Sequence, residues 1–232
     1  MNEKGFPQGV IFDLDGVIVS TDEFHFLAWK RLTEREGIYF DRKINERLRG
    51  ISRMQSLEII LEEASQEYGE TEKHKLAEAK NAYYIELINS QLNPTHILPG
   101  VMTILPCLKR KKIGIAVGSS SKNALLILRK IGLEDYFDVV VDGNEISKSK
   151  PDPEVFLLAA EKMGVPVEDC LVVEDADSGV AAALAAGMSV LGVGSACHNL
   201  EATRTVSDLS RISVEDLISL IGQAKAFNDQ GK

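Results

Sequence analysis

Positive charge is in short supply in this chain: 26 lysines and arginines face 35 aspartates and glutamates, a formal net charge of −9 over 232 residues. A nucleic acid or an anionic membrane asks for a basic face that this balance does not provide, so any phosphate site has to be local. Cysteine is scarce too. Cys107, Cys170 and Cys197 are odd in number, widely spaced and without a C-x-x-C pair, which argues against a disulfide framework or a zinc cluster. Buried free thiols in a reducing cytosol are the expectation. No run approaches the roughly 20 apolar residues of a membrane span, and Met1 to Gly5 lead into a strand without a long apolar signal segment. Internal repeats and low-complexity stretches are also lacking. The expected chain is cytoplasmic, and 44% hydrophobic residues at a mean hydropathy near zero suffice for one sizeable core plus a small extra unit.

The stretch that organises the rest is Val10-Ile11-Phe12-Asp13-Leu14-Asp15-Gly16-Val17. An apolar, strand-forming run ends in two carboxylates two positions apart and a glycine, so a buried strand is expected to deliver Asp13 and Asp15 to its carboxyl end, where open parallel sheets keep their chemistry. In extended backbone, residues i and i+2 point to one side, so the two acids can converge. Their repulsion is relieved by a hard divalent cation that takes oxygen ligands. Taken alone, the motif reads equally well as a surface turn, since Asp and Gly are ordinary turn residues.

Beyond Gly16 the periodicity becomes helical. Ser20-Thr21-Asp22-Glu23 fits a capping box with Ser20 as cap, opening a helix over 22–36; further helices are expected at 41–49, 53–65 and 71–90, with no strand between. Strands and helices then alternate: helix 101–111, strand 112–118, helix 123–131, strand 137–142, a helix opened by Asp152-Pro153, strand 170–173, helix 178–186, strand 189–193 and a closing helix over 214–227. This alternation implies an α/β fold with a Rossmann-like, doubly wound parallel sheet. The all-helical stretch interrupts it after the first strand and reads as an inserted cap, 20–93, in a discontinuous core of 1–19 and 94–232, with hinges near Ser20 and Asn93.

Three further segments bear on chemistry. Gly118-Ser119-Ser120-Ser121 lies between a strand and a helix, where hydroxyls and N–H groups cradle an anion or simply cap the helix. Lys150-Pro151-Asp152-Pro153 reads alone as a solvated loop, and Glu174-Asp175 directly follows an apolar strand. In order, these four segments resemble the motifs of the haloacid dehalogenase-like hydrolase superfamily, most of whose members transfer phosphoryl groups through an aspartyl-phosphate. The resemblance implies that Asp13 is the nucleophile and Asp15 the general acid/base. It also implies that Ser119 and Lys150 hold the transferring phosphate, and that Mg²⁺ is bound by Asp13, the Asp15 backbone carbonyl, Glu174 and Asp175. Dehalogenases usually lack the second aspartate, so Asp15 argues for phosphoryl chemistry.

Thr21 to Trp29, Asn45 to Arg53 and Ser121-Lys122-Asn123 further resemble the sugar-phosphate mutases of that superfamily. By that resemblance Thr21 is a hinge-side residue, His25 a cap residue contacting Asp15 or the sugar, and Arg53 the cap's clamp on a distal phosphate completed by Ser121, Lys122 and Asn123. A guanidinium suits that task because it forks onto phosphate. From spacing alone, Arg53 is a solvated helix start and His25 packs beside Trp29 one turn away. Ser20, Arg49 and Ala176 depart from the mutase pattern without removing a catalytic group. The implied reaction interconverts β-glucose 1-phosphate and glucose 6-phosphate through a bisphosphate; the alternatives are a Mg-dependent sugar-phosphate phosphatase or a non-catalytic phosphosugar-binding protein. The partners expected are a small sugar phosphate and sugar bisphosphate, with no nucleic acid, no membrane and a monomeric chain.

Overall fold

The computed structural model describes residues 8–48 and 51–223. Six strands, β1 (Gly9–Phe12), β2 (Gly114–Gly118), β3 (Val139–Val141), β4 (Cys170–Glu174), β5 (Ser189–Gly192) and β6 (Arg204–Thr205), form one parallel sheet in the order β3-β2-β1-β4-β5-β6. β1, β2, β4 and β5 are buried along their whole length, as continuous apolar strands covered on both faces must be. The doubly wound sheet expected from the alternation is present. β6 was not anticipated, because a two-residue edge strand carries no readable period.

Register decides where the chemistry goes. Phe12 pairs with Val117 on one side and Val173 on the other. Asp13, Gly118 and Glu174 therefore leave the sheet at one level, on the crevice where strand order reverses.

Between β1 and β2 lie α1 (Asp22–Glu36), α2 (Arg42–Glu46), α3 (Arg53–Leu61) and α4 (Glu70–Gln91); α5 (Val101–Arg110), α6 (Ala124–Ile131), α7 (Glu154–Met163), α8 (Asp177–Ala185) and α9 (Val214–Ser219) cover the sheet. Alternation along β1 splits the core. Val10 and Phe12 pack with Ile104, Ile127 and Leu217 on one face, and Ile11 packs with Phe156, Ala159 and Val180 on the other. A third cluster, including Trp29, Leu32, Ile44, Leu57, Ile60 and Leu76, lies wholly within α1–α4. Phe24, Ala28, Tyr84 and Ile88 instead join the first sheet-face cluster, so the inner ends of α1 and α4 are packed onto the core. The two chain crossings run side by side: Val19 and Ile97 form an antiparallel bridge, Ser20 N donates to His96 O at 3.1 Å and Leu98 N to Ile18 O at 3.0 Å.

Several expectations need correction. Ser20 does not cap α1; the N-cap is Thr21, and it makes no side-chain cap bond because its hydroxyl is turned to Asp15. α2, α3 and α9 end earlier than the periodicity suggested, because the chain tightens into i to i−3 hydrogen bonds after each, as at Glu63 to Ile60 and Leu220 to Leu217. Residues 1–7, Arg49, Gly50 and the tail expected to reach Phe227 lie outside the described residues. Of the thiols only Cys170 is fully buried, Cys107 and Cys197 being half-buried. Among the described residues, no helix is long and apolar enough to cross a membrane.

Candidate active site

The carboxyl end of β1 continues its pairing by one residue, Asp13 N donating to Val173 O at 2.9 Å, and this fixes the direction in which the Asp13 side chain leaves the sheet. Lys150, only 3% exposed, sets its Nζ 2.5 Å from Asp13 Oδ1 and 2.7 Å from Glu174 Oε1. Glu174 Oε2 accepts from Asp175 N at 2.6 Å and Ala176 N at 3.0 Å, so the carboxylate is clamped on both oxygens. The loop before Lys150 is pinned in turn by Glu154 at the start of α7, whose carboxylate accepts from Ser147 N at 3.0 Å and Lys148 N at 2.7 Å. Buried Ser119 accepts from Ser121 N at 3.1 Å, which folds the serine loop at the end of β2.

Two glycines make this closeness possible. A Cβ at Gly16, where φ is +83°, would fall 2.1 Å from Asp175 Oδ2, and one at Gly179 would fall 1.8 Å from Glu174 Oε1. Any side chain at either position would push an acid out of the site.

The electrostatics at this end are those of crowded acids. Burial pushes the Asp13 carboxyl up to about 7, against the pull of Lys150 and with a further push from Glu174. Burial raises Asp15 to about 6, restrained by the hydrogen bond from Thr21. Asp175 goes to about 8 through burial first and then through Glu174 and Asp13. Burial works against the Lys150 ammonium, but the Asp13 and Glu174 carboxylates outweigh it and hold the pKa above the ordinary lysine value. Carboxylate oxygens of Asp13, Glu174 and Asp175 all lie within 4.8 Å of one another, and no donor touches the Asp175 carboxylate among the described residues. An all-oxygen donor set with surplus negative charge fits a hard divalent cation.

The opposite wall of the same cavity, of about 590 Å³, is built by the helices between β1 and β2. Thr21, 1% exposed, hydrogen-bonds Asp15 Oδ1, and Tyr84 Oη donates to Thr21 Oγ1 at 3.0 Å. Lys80 is 2% exposed, with its Nζ 2.8 Å from His25 Nδ1 and above the rings of Trp29 and Tyr84 at 4.9 and 4.7 Å. With Lys80 as an ammonium, which has only donors, Nδ1 is the acceptor in this contact and carries no proton. Burial, then Lys80 and Arg53, hold the His25 pKa well below its ordinary value; burial and Arg53 do the same to Lys80. Half-buried Arg53 opens α3 behind a capping box between Ser52 and Gln55, and burial lowers its pKa as well. Asn123 Nδ2 donates to Asn81 Oδ1 at 2.9 Å, joining the start of α6 to α4.

A model of the haloacid dehalogenase-like hydrolases matches residues 7–187. The chain belongs to the haloacid dehalogenase-like hydrolase family. Among its relatives, β-phosphoglucomutase of Bacillus subtilis is 46% identical over 210 residues, 90% of this chain and 92% of the relative. A phosphorylated carbohydrates phosphatase of Thermotoga maritima is 32% identical over 92% of this chain and 98% of its own. Among solved structures, β-phosphoglucomutase of Clostridium difficile superposes with a TM-score of 0.87 at 38% identity, covering 94% of this chain and 99% of that one.

In this haloacid dehalogenase-like chain, Asp13, Asp15, His25, Arg53, Ser119, Ser121, Lys122, Asn123, Lys150, Glu174 and Asp175 all line the one cavity. Thr21 stands behind Asp15. His25 contacts Lys80 and Tyr84, its ring centroid 4.1 Å from that of Tyr84; Asp15 takes its hydrogen bond from Thr21 instead. Trp29 is buried in the helical cluster and also borders the cavity. The sequence reading missed Lys80, Asn81 and Tyr84. Their signal is a lysine inside the inward stripe Ala77, Lys80, Tyr84, Ile88, which recurs every three or four residues along α4.

Proposed function

We propose that this chain interconverts β-glucose 1-phosphate and glucose 6-phosphate by phosphoryl transfer through Asp13. The observation that carries this reading is a single cavity with two unlike ends, an acidic one around Asp13 and a cationic one around Arg53 and Lys80. A sugar carrying a phosphate at each end meets both. The 46% identical mutase relative supports the same reading.

In the proposed cycle a phosphorylated Asp13 meets β-glucose 1-phosphate. The C6 hydroxyl attacks phosphorus as Asp15 removes its proton, and the bond from phosphorus to Asp13 breaks, giving glucose 1,6-bisphosphate. After the bisphosphate has turned around, Asp13 attacks the phosphorus on O1. Asp15 returns the proton to the departing O1, which leaves glucose 6-phosphate and a rephosphorylated Asp13. An acid/base with a pKa of about 6 can serve in both directions near neutrality. Lys150 neutralises charge between nucleophile and phosphoryl group, and the Ser119 hydroxyl donates to a phosphoryl oxygen.

Asp13, Glu174, Asp175 and the Asp15 backbone carbonyl are the proposed holders of Mg²⁺, which when bound withdraws charge from the phosphoryl oxygens. Arg53, Ser121, Lys122 and Asn123 hold the far phosphate, with His25 and Lys80 on the sugar side. Residues 20–93 serve as a cap over a core of 1–19 and 94–232, excluding water so that a sugar hydroxyl is the acceptor.

The test supplies β-glucose 1-phosphate, Mg²⁺ and a trace of bisphosphate, and follows glucose 6-phosphate against free phosphate. Predominant glucose 6-phosphate is expected. Predominant free phosphate would turn the assignment into a Mg-dependent sugar-phosphate phosphatase.

A further inference from the structure

Tyr84 lies on α4, where that helix packs onto the core, and its phenol ends a hydrogen-bonded line that runs to Asp15. Thr21 Oγ1 has a single hydrogen. It bonds Asp15 Oδ1, so the contact with Tyr84 Oη, at 3.0 Å, can only be one in which the tyrosine donates. The direction of the line is therefore fixed: Tyr84 to Thr21 to Asp15. Asp15 Oδ1 is the acceptor in this line, and among the described residues Oδ2 has no protein donor. Tyr84 is 1% exposed, among the largest fully buried side chains, with the His25 ring tilted against it at 4.1 Å and Lys80 Nζ above its ring at 4.7 Å.

We propose that Tyr84 is a positioning residue for proton transfer: by donating to Thr21 it keeps the threonine hydrogen on Asp15 Oδ1, so that Oδ2 alone takes the proton from the sugar hydroxyl and returns it. This rests on the reading of Asp15 as the general acid/base. Without the phenol, Thr21 is free to rotate its hydrogen elsewhere and Asp15 loses the distinction between its two oxygens. Tyr84 borders the cavity, but its hydroxyl is committed to Thr21, and the proposed role runs through that hydrogen bond.

The obvious rival is a core tyrosine that merely satisfies its hydroxyl. Tyr84→Phe separates the two, because it keeps the ring and removes one oxygen. The magnesium-loaded full chain is assayed with two phosphoryl donors. Acetyl phosphate leaves as acetate and needs no proton, whereas transfer to or from a sugar oxygen needs Asp15. Tyr84→Phe is expected to slow the sugar reaction about ten-fold, part of the 10²- to 10⁴-fold typical of general acid/base catalysis, while phosphorylation of Asp13 by acetyl phosphate falls less than about two-fold. Equal losses in the two reactions, or none with the sugar, would overturn the proposal.

A double-mutant cycle tests the route. Once Thr21→Val has been made, adding Tyr84→Phe should cost little more; fully additive losses would show that Tyr84 acts by another path and overturn it. Asp15→Asn run alongside tells the two layers apart. If Asp15→Asn loses the sugar reaction while Tyr84→Phe keeps it, the positioning role alone is wrong; if Asp15→Asn keeps it, the acid/base reading underneath is wrong and the proposal falls with it.

Discussion

The two ends of the cavity are frustrated in opposite senses. At the sheet end, acids crowd one another: Asp13, Asp15 and Asp175 are raised to about 7, 6 and 8 by burial and by their like-charged neighbours, and Lys150 is the cation set among them. At the helical end, Arg53 and Lys80 crowd one another beside the His25 ring, and all three are held below their ordinary values by burial, Lys80 and His25 also by neighbouring positive charge. The first end lacks a cation and the second an anion. A magnesium-bound phosphoester with a second phosphate at its far end relieves both at once, and a ligand with one phosphate relieves only one. The sheet end is built from strand termini locked by the sheet's own register; the helical end is built from side chains on three helices, α1, α3 and α4.

Substituting the nucleophile gives the largest expected effect. Asp13→Asn is expected to lower formation of both glucose 6-phosphate and free phosphate by on the order of 10⁴-fold or more, as losses of covalent nucleophiles do. Retained turnover would show that the sheet end does not work through Asp13. Arg53→Ala touches only the other end. It is expected to reduce kcat/KM for sugar phosphates about 100-fold, the worth of a bidentate charge-assisted contact, and to leave phosphorylation by acetyl phosphate nearly unchanged. Equal losses with both donors would erase the distinction between the ends.

Lys80→Met sharpens the comparison by setting stability against function. Replacing a crowded buried ammonium with an apolar chain of similar length should raise stability by about 1–3 kcal/mol in thermal or urea unfolding, while kcat/KM for the sugar phosphate falls roughly ten-fold. A lowered melting temperature would mean that His25 already satisfies Lys80 and that the helical end is not strained.

The smallest effect concerns pH. Asp175 binds its proton more tightly folded than unfolded, as do Asp13 and Asp15, whereas His25 and Lys80, both held low, bind theirs less tightly folded and act in the opposite sense. With three acids set against these two bases, stability of the metal-free chain is expected to fall as pH rises from about 4 to about 8. Lys150 has the same sign, but its loss begins only above the ordinary lysine range. Melting curves should place the metal-free protein several degrees lower at pH 8 than at pH 5.5, with Mg²⁺ raising the midpoint more at pH 8. A metal-free protein more stable at pH 8 would contradict the acid-crowding account.

The same division separates what could be read in the sequence from what could not. The sheet end was legible because the Asp13, Ser119 and Glu174 motifs each stand at the end of an apolar strand, and parallel register carries Asp13, Gly118 and Glu174 to one level whatever the intervening loops do; Lys150, nine residues beyond β3, was legible only through the order of the motifs. Lys80, Asn81 and Tyr84 were not, because their meaning depends on which face of a 22-residue helix meets the cavity, and no local motif surrounds them. Ser20 was misread as a cap since its neighbour Thr21 looks like an ordinary helix-start hydroxyl until Asp15 is seen to take its hydrogen. The short reach of α2, α3 and α9 follows from terminal tightening, to which an apolar period is blind.

The central claim is that the phosphoryl group travels on Asp13 and passes to a sugar held at both ends. The most direct measurement is rapid quenching during turnover with β-glucose 1-phosphate, Mg²⁺ and bisphosphate, followed by mass mapping of the acid-stable peptides. The account predicts phosphate on Asp13, appearing and discharging to sugar at the rate of turnover; phosphate on another residue, or none while glucose 6-phosphate still forms, would contradict it.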